Sequence, residues 1–112
     1  MENNMPPIAN TPDPPYYAVI FTSIRNDGDF GYAEMATKIM ELAVQSEGFL
    51  GVESAREDIG ITVSYWNDLE SIKTWKSHVD HLEAQRQGRA KWYARYKVRI
   101  SKVDNDYQFI AT

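Results

Sequence analysis

Residues Gly60 to His81 read GITVSYWNDLESIKTWKSHVDH, and their periodicity changes once, at Asn67. Up to that point the side chains alternate. Ile61, Val63 and Tyr65 form one set, and Thr62, Ser64 and Trp66 the other, which is the period of a β-strand. Beyond it Ile72, Trp75, Val79 and Leu82 recur at helical spacing. Asn67, Asp68 and Ser71 supply start signals in between. Asp68 is the expected cap, because its carboxylate can accept from the free N–H groups of a first helical turn. A strand therefore runs directly into a helix.

Working outward, Phe49–Arg56 reads as a strand joined to this one through Glu57-Asp58-Ile59-Gly60, a hairpin. Phe30–Ser46 carries Met35, Ile39, Leu42 and Ala43 at helical spacing, with Asp27 or Asp29 as cap and Gly48 as a left-handed stop. Tyr16–Arg25 (YYAVIFTSIR) is rich in β-branched and aromatic residues and reads as a strand. Gly88 interrupts the second helix. Tyr93–Val103 then alternates, with Tyr96, Val98 and Ile100 opposite Arg95, Lys97 and Arg99. Strand, helix, strand, strand, helix, strand is the ferredoxin-like βαββαβ order, an α+β fold with an antiparallel sheet and both helices on one face. The first strand is apolar on both sides, so the uncovered sheet face is expected to pack on a second copy, giving a homodimer.

The chain has 112 residues, enough for one domain. All five prolines lie in residues 1–15, which are expected to form a flexible lead; residues 16–103 form the domain and 104–112 a tail that contacts the partner subunit. The lead has no basic start or apolar run of a signal peptide, and no segment suits a membrane span. The absence of cysteine excludes thiolate chemistry and suits a reducing, cytoplasmic compartment. Net charge is −4, which argues against nucleic acid as a partner, although nine of the twelve Lys and Arg lie between Lys73 and Lys102.

The stretches GFLGVESARE (48–57), GITVSYWNDLESIKTWKSHVDH (60–81) and YKVRISKV (96–103) resemble the antibiotic biosynthesis monooxygenase domain family. That resemblance covers about Tyr16 to Val103. It implies a dimeric α+β barrel with a pocket between helices and sheet, and an activity among cofactor-independent monooxygenases of phenols and quinone precursors, quinol oxygenases or haem-degrading enzymes. For the haem branch Trp75 matches the family's helix Trp. Gln85 stands where the iron-ligating His would be, however, and Ser23 near the first-strand Asn. Glutamine is not a usual haem ligand.

The expected reaction is cofactor-free oxygenation of a small planar aromatic compound of the phenol, quinol or anthrone type. His78 is the candidate base, and Trp66, Asn67 and Arg89 complete the catalytic set. Trp75, Tyr96, Trp92 and His81 are the candidate substrate contacts. His78, Trp66 and Tyr96 are expected to line one cavity. Each has a plainer reading: a hydrogen-bonded histidine, core aromatics, a helix cap. His78 and His81 lie three apart, but no third ligand of suitable type is evident, so no metal is expected. The rival function is a dimeric, non-enzymatic module, binding or stress-related, that holds a small hydrophobic compound.

Overall fold

A computed structural model describes residues 8–86 and 89–111. The elements are β1 (Tyr16–Arg25), α1 (Tyr32–Gln45), β2 (Phe49–Arg56), β3 (Gly60–Trp66), α2 (Leu69–Arg86), the single turn α3 (Arg89–Trp92) and β4 (Tyr93–Val103). The strands form one antiparallel sheet in the order β2-β3-β1-β4, the expected ferredoxin-like α+β arrangement. The turn α3 is the one element that the sequence pattern did not indicate.

Local chemistry accounts for the helix ends. Asp29 accepts from the N–H groups of Gly31 (2.9 Å) and Ala33 (3.2 Å), so it caps α1 from just outside the helix. Asp68 accepts from the Ser71 N–H at 2.7 Å, and that bond holds its carboxyl below the usual range. After α1 the chain reverses at Gly48, whose φ of 87° is left-handed.

The sheet has two unlike faces. On the inner face Val19 lies between Ser64 and Ile100, and Phe21 between Thr62 and Val98. This face meets both helices, and the core forms there from Val19, Ala43, Trp66 and Ile72, with Phe49, Met40 and Trp75 against it. The outer face carries Tyr16, Ala18, Ile20, Thr22 and Ile24 on β1, flanked by Tyr65, Val63 and Ile61 on β3. No helix covers it.

One end of the outer face is covered by the chain's own extremities. Residues 8–13, expected to be a flexible lead, lie over Tyr16, Glu53 and Tyr65, and residues 106–108 adjoin them. The Ala9 N–H donates to the Glu53 carboxylate at 3.0 Å, and Tyr65 donates its hydroxyl to the same carboxylate at 2.7 Å. Gly51 makes the approach possible, since a Cβ there would stand 2.8 Å from the Ala9 methyl. Tyr16 donates its hydroxyl to Asp106, which ties the tail to the first strand. Tyr16 and Ala18 are thereby buried at this end, whereas Ile24 and Ile61 at the other end are exposed.

Candidate functional site

The inner face is not filled completely. Between it and the two helices lies a cavity of about 170 Å³. β1 contributes Val19 and Phe21, β3 Thr62 and Ser64, and β4 Tyr93, Tyr96 and Val98; α1 adds Tyr32, Ile39 and Met40, and α2 adds Ile72, Trp75 and Val79. The lining follows from two periodicities. Every second strand residue points inward, and one stripe of each helix faces the sheet. Thr62 and Ser64 are short, which leaves room where a larger pair would close the space.

Aromatic rings lie at two sides of the cavity. At one side Trp75 lines it and packs on the core ring Trp66 (ring centroids 5.1 Å apart), which in turn packs on Phe49 (5.5 Å). At the other, Phe21, Tyr32, Tyr93 and Tyr96 form a cluster with Tyr93 at its centre, 5.5 Å from Phe21 and from Tyr96 and 5.8 Å from Tyr32. Burial, then the neighbouring Tyr32 hydroxyl, pushes the Tyr93 hydroxyl well above its ordinary range, so it is a neutral donor at physiological pH. The Arg25 guanidinium lies 3.4 Å from the Tyr32 ring centroid, which holds a cation against the back of this cluster.

Charge enters from α2 and α3. Glu83 and Asp80 line the cavity together with Arg89. Arg89 donates through Nε to Glu83 at 3.1 Å and through Nη2 to Asp80 at 3.3 Å. The Glu83 side chain is only 12% exposed against 46% for Asp80, so Glu83 is the carboxylate that sits inside the site and Asp80 belongs to its rim. The hydrogen bond that Arg89 donates to Glu83 raises its guanidinium above an already high range and keeps it charged. The indole N–H of Trp75 is buried and meets no acceptor among the described residues.

Among the residues singled out from sequence, Trp75, Tyr96 and Arg89 meet at this cavity, and the others do not. His78 is exposed and lines a separate groove between α1 and α2 with Leu42, Gln45, Ser71 and Thr74. The expectation that His78, Trp66 and Tyr96 share one cavity is therefore corrected. His78 follows Trp75 on the side of the helix that turns toward α1, away from the sheet. His81 lies further round, in a shallow groove with Lys38, Glu41 and Leu82. Trp66 does face inward but is fully buried in the core, where its N–H donates to Ser64 Oγ at 2.9 Å. Trp92 is 2% exposed and donates to the Phe30 carbonyl at 2.8 Å. Asn67 is exposed at the strand-to-helix junction, with its backbone N–H given to Gly48 O at 2.8 Å. Of the two haem-branch positions, Gln85 is exposed on α2, and Ser23 is buried and accepts from Arg56 at 2.5 Å. Among the described residues no group of three or more His, Cys, Asp or Glu is placed to hold a metal ion, and no helix is long and apolar enough to cross a membrane.

The residues that sequence reasoning missed are Tyr32 and Glu83. A signal existed for Glu83. Eleven residues after Ile72, at about 100° per residue, it returns to within about 20° of Ile72 on the helix.

No established sequence-family profile matches the chain. Solved structures show the fold. SnoaB, a cofactor-independent oxygenase from Streptomyces nogalater, superposes with a TM-score of 0.61 at 8% identity, over 85% of this chain and 97% of that one. A Nitrosomonas europaea protein classed as an antibiotic biosynthesis monooxygenase superposes with a TM-score of 0.61 at 14% identity, over 82% and 92%. The resemblance read from the sequence thus holds at the level of the fold, which is that of the antibiotic biosynthesis monooxygenases. A curated relative, the uncharacterized protein YqjZ of Bacillus subtilis (strain 168), is 48% identical over 104 residues, covering 91% of each chain. With that identity over nearly its whole length, and with this fold, the chain belongs to the family of YqjZ, built on the antibiotic biosynthesis monooxygenase scaffold.

Proposed function

We propose that the protein is a cofactor-independent monooxygenase that oxidises a small phenol or quinol in the cavity between sheet and helices. The observation that carries this reading is the cavity itself: an apolar space walled by aromatic rings, with one well-buried carboxylate, Glu83, on its lining. Likeness to a cofactor-independent oxygenase supports it at the level of fold. Volume narrows the substrate. A dry apolar cavity of about 150 Å³ accepts benzene, and this one measures about 170 Å³. That volume suits a one-ring compound.

In this reading Glu83 accepts the proton of the phenol, and Tyr93 donates a hydrogen bond to the oxygen that becomes negative. Phe21, Trp75 and Tyr96 hold the ring and exclude water. The electron-rich ring carbon then bonds to dioxygen, and the hydroperoxide eliminates water. One phenol and one dioxygen give one quinone and one water, so the ring supplies all the electrons. The test is oxygen uptake with a series of phenols and hydroquinones of one to three rings. One-ring compounds should be consumed, Glu83→Gln should lower kcat/KM about 10²-fold or more, and His78→Ala should leave it unchanged. If His78→Ala abolishes uptake and Glu83→Gln does not, the assignment of the base is wrong.

One observation favours a second reading, a binding module without chemistry: the Glu83 carboxylate is already engaged by Arg89. Saturable binding of the same compounds without oxygen consumption would establish that reading. A cytoplasmic setting accords with a chain free of cysteine. No nucleic-acid or membrane partner enters either reading.

A further inference from the structure

The cavity stops short of one edge of the sheet, and the strand register shows where. Two rows of inward residues cross the four strands: Val98, Phe21, Thr62 and Ser54, then Ile100, Val19, Ser64 and Val52. In each row the residues from β4, β1 and β3 line the cavity, and the residue from β2 does not. Neighbouring strands stand only about 5 Å apart, yet Ser54 is exposed. In the first row Thr62 is therefore the last side chain between the enclosed space and solvent.

Thr62 and Ser64 are both short, but they are not equally free to vary. Ser64 is buried, and its Oγ accepts from the Trp66 indole N–H. Replacing it would strand a donor inside the core. Thr62 has a lighter commitment. Its Oγ1 lies 3.0 Å from Ser54 Oγ in an exposed pair, so breaking that bond returns Ser54 to water. Several other lining residues are bound to tasks elsewhere. Val19 and Ile72 belong to the core, Trp75 packs on Trp66, and Phe21 packs on Tyr93 and Tyr96. β3 is also an interior strand, paired with β2 on one side and β1 on the other. Its backbone cannot give way to an oversized occupant, so the limit at Thr62 is set by the side chain.

We propose that Thr62 is the specificity-determining residue of the cavity. It is the wall that holds an occupant to a single ring, and shortening it extends the cavity over Ser54 toward the β2 edge, where a fused two-ring phenol finds room. The inference rests on the reading of this cavity as the site for a small phenol or quinol. It concerns binding alone and holds whether or not oxidation follows.

Calorimetric titration with 4-methylphenol and 2-naphthol tests it. The parent chain is expected to prefer the one-ring probe. Thr62→Ala should move the ratio of the two dissociation constants about 10-fold or more toward 2-naphthol, the scale of a pocket changed by a carbon-sized group or two. Thr62→Ser, which keeps the hydroxyl, should move it the same way by less. Thr62→Val keeps the shape without the hydroxyl and should leave the ratio unchanged, which separates space from hydrogen bonding. Adding Ser54→Leu to Thr62→Ala should restore the parent ratio, because it fills the space that the second ring takes. If 4-methylphenol binds and neither Thr62→Ala nor Thr62→Ser moves the ratio, the inference is overturned while the reading of the cavity stands. A parent chain that takes 2-naphthol as tightly as 4-methylphenol, or a shift that Ser54→Leu fails to reverse, would also overturn it. If neither probe binds the parent or any variant, the reading of the cavity falls and the inference falls with it.

Discussion

The two faces of the sheet are built from the same strands yet are finished by different means. On the inner face β1 meets two helices from within its own domain, and the result is a core with Trp66 fully buried beside a cavity lined by aromatic rings. On the outer face the same strand is apolar too, but its cover consists of irregular chain: Ala9 against Gly51, and Asp106 against Tyr16. Regular elements bury an extended stripe and leave a shaped space. Loose segments bury only as far as they reach, and the remaining apolar rows stay bare. The contrast separates two environments of β1: the inward residues line a core and a cavity, and the outward ones are covered at one end and bare at the other.

Substitutions on the two faces should differ most in stability. Trp66→Ala empties the best-packed position of the inner face and is expected to cost about 3–5 kcal/mol in denaturant unfolding. A loss under 1 kcal/mol would mean that the inner core is looser than its burial indicates. Deletion of residues 1–13 removes the Ala9 bond to Glu53 and uncovers Tyr65. A bond of this kind contributes about 1 kcal/mol, so a fall in Tm of roughly 4–8 °C is expected in calorimetry. An unchanged Tm would show that the lead rests on the outer face without stabilising it.

Tyrosine titration sharpens the comparison, since raised hydroxyls occur on both faces. Tyr93 is raised on the inner face chiefly by burial; on the outer face Tyr65 is raised by burial and its bond to Glu53, and Tyr16 by its bond to Asp106. In each case the folded chain keeps a proton that the unfolded chain releases near pH 10. The associated stability is complete below about pH 10 and is lost as pH rises beyond it. Phenolate absorbance should show these three among the last of the seven tyrosines to ionise. Tyr93→Phe should make the alkaline loss of stability shallower, and an unaltered slope would contradict its burial. The smallest effect belongs to the cavity rim. Lys76→Ala breaks an exposed pair with Asp80 (2.9 Å) and should change stability by no more than about 0.5 kcal/mol.

The fold was legible because the two long helices and most of the strands carry a clear period. The alternation of Thr62, Ser64 and Trp66 assigned the inner face of β3, and Tyr96 and Val98 assigned that of β4. Gly48 and Asp68 marked ends that backbone conformation and hydrogen bonding then demanded. The site was legible only in part. His78 drew attention as a titratable group beside the helical stripe, yet α1 lies on that side. Glu83, Asp80 and Lys76 fall on the sheet-facing side itself, and a pattern read through apolar residues passes over charges there. Whether Trp66 would wall the cavity or fill the core depended on how far α2 stands from the sheet, which no local spacing encodes. The position of the lead was hidden for a similar reason, because its determinant, Gly51, lies on another strand.

The three indoles, finally, occupy three different electrostatic surroundings. Those of Trp66 and Trp92 have fixed acceptors, Ser64 Oγ and the Phe30 carbonyl, while that of Trp75 has none among the described residues. An occupant of the cavity that brings an oxygen to Trp75 would therefore shift one emission component and leave two nearly constant. Trp66 and Trp75, with ring centroids 5.1 Å apart and planes inclined by 35°, are also close enough for their electronic transitions to couple. Filling the cavity should alter that coupling, so the protein carries an unlabelled optical gauge of its own occupancy, readable before any turnover is known.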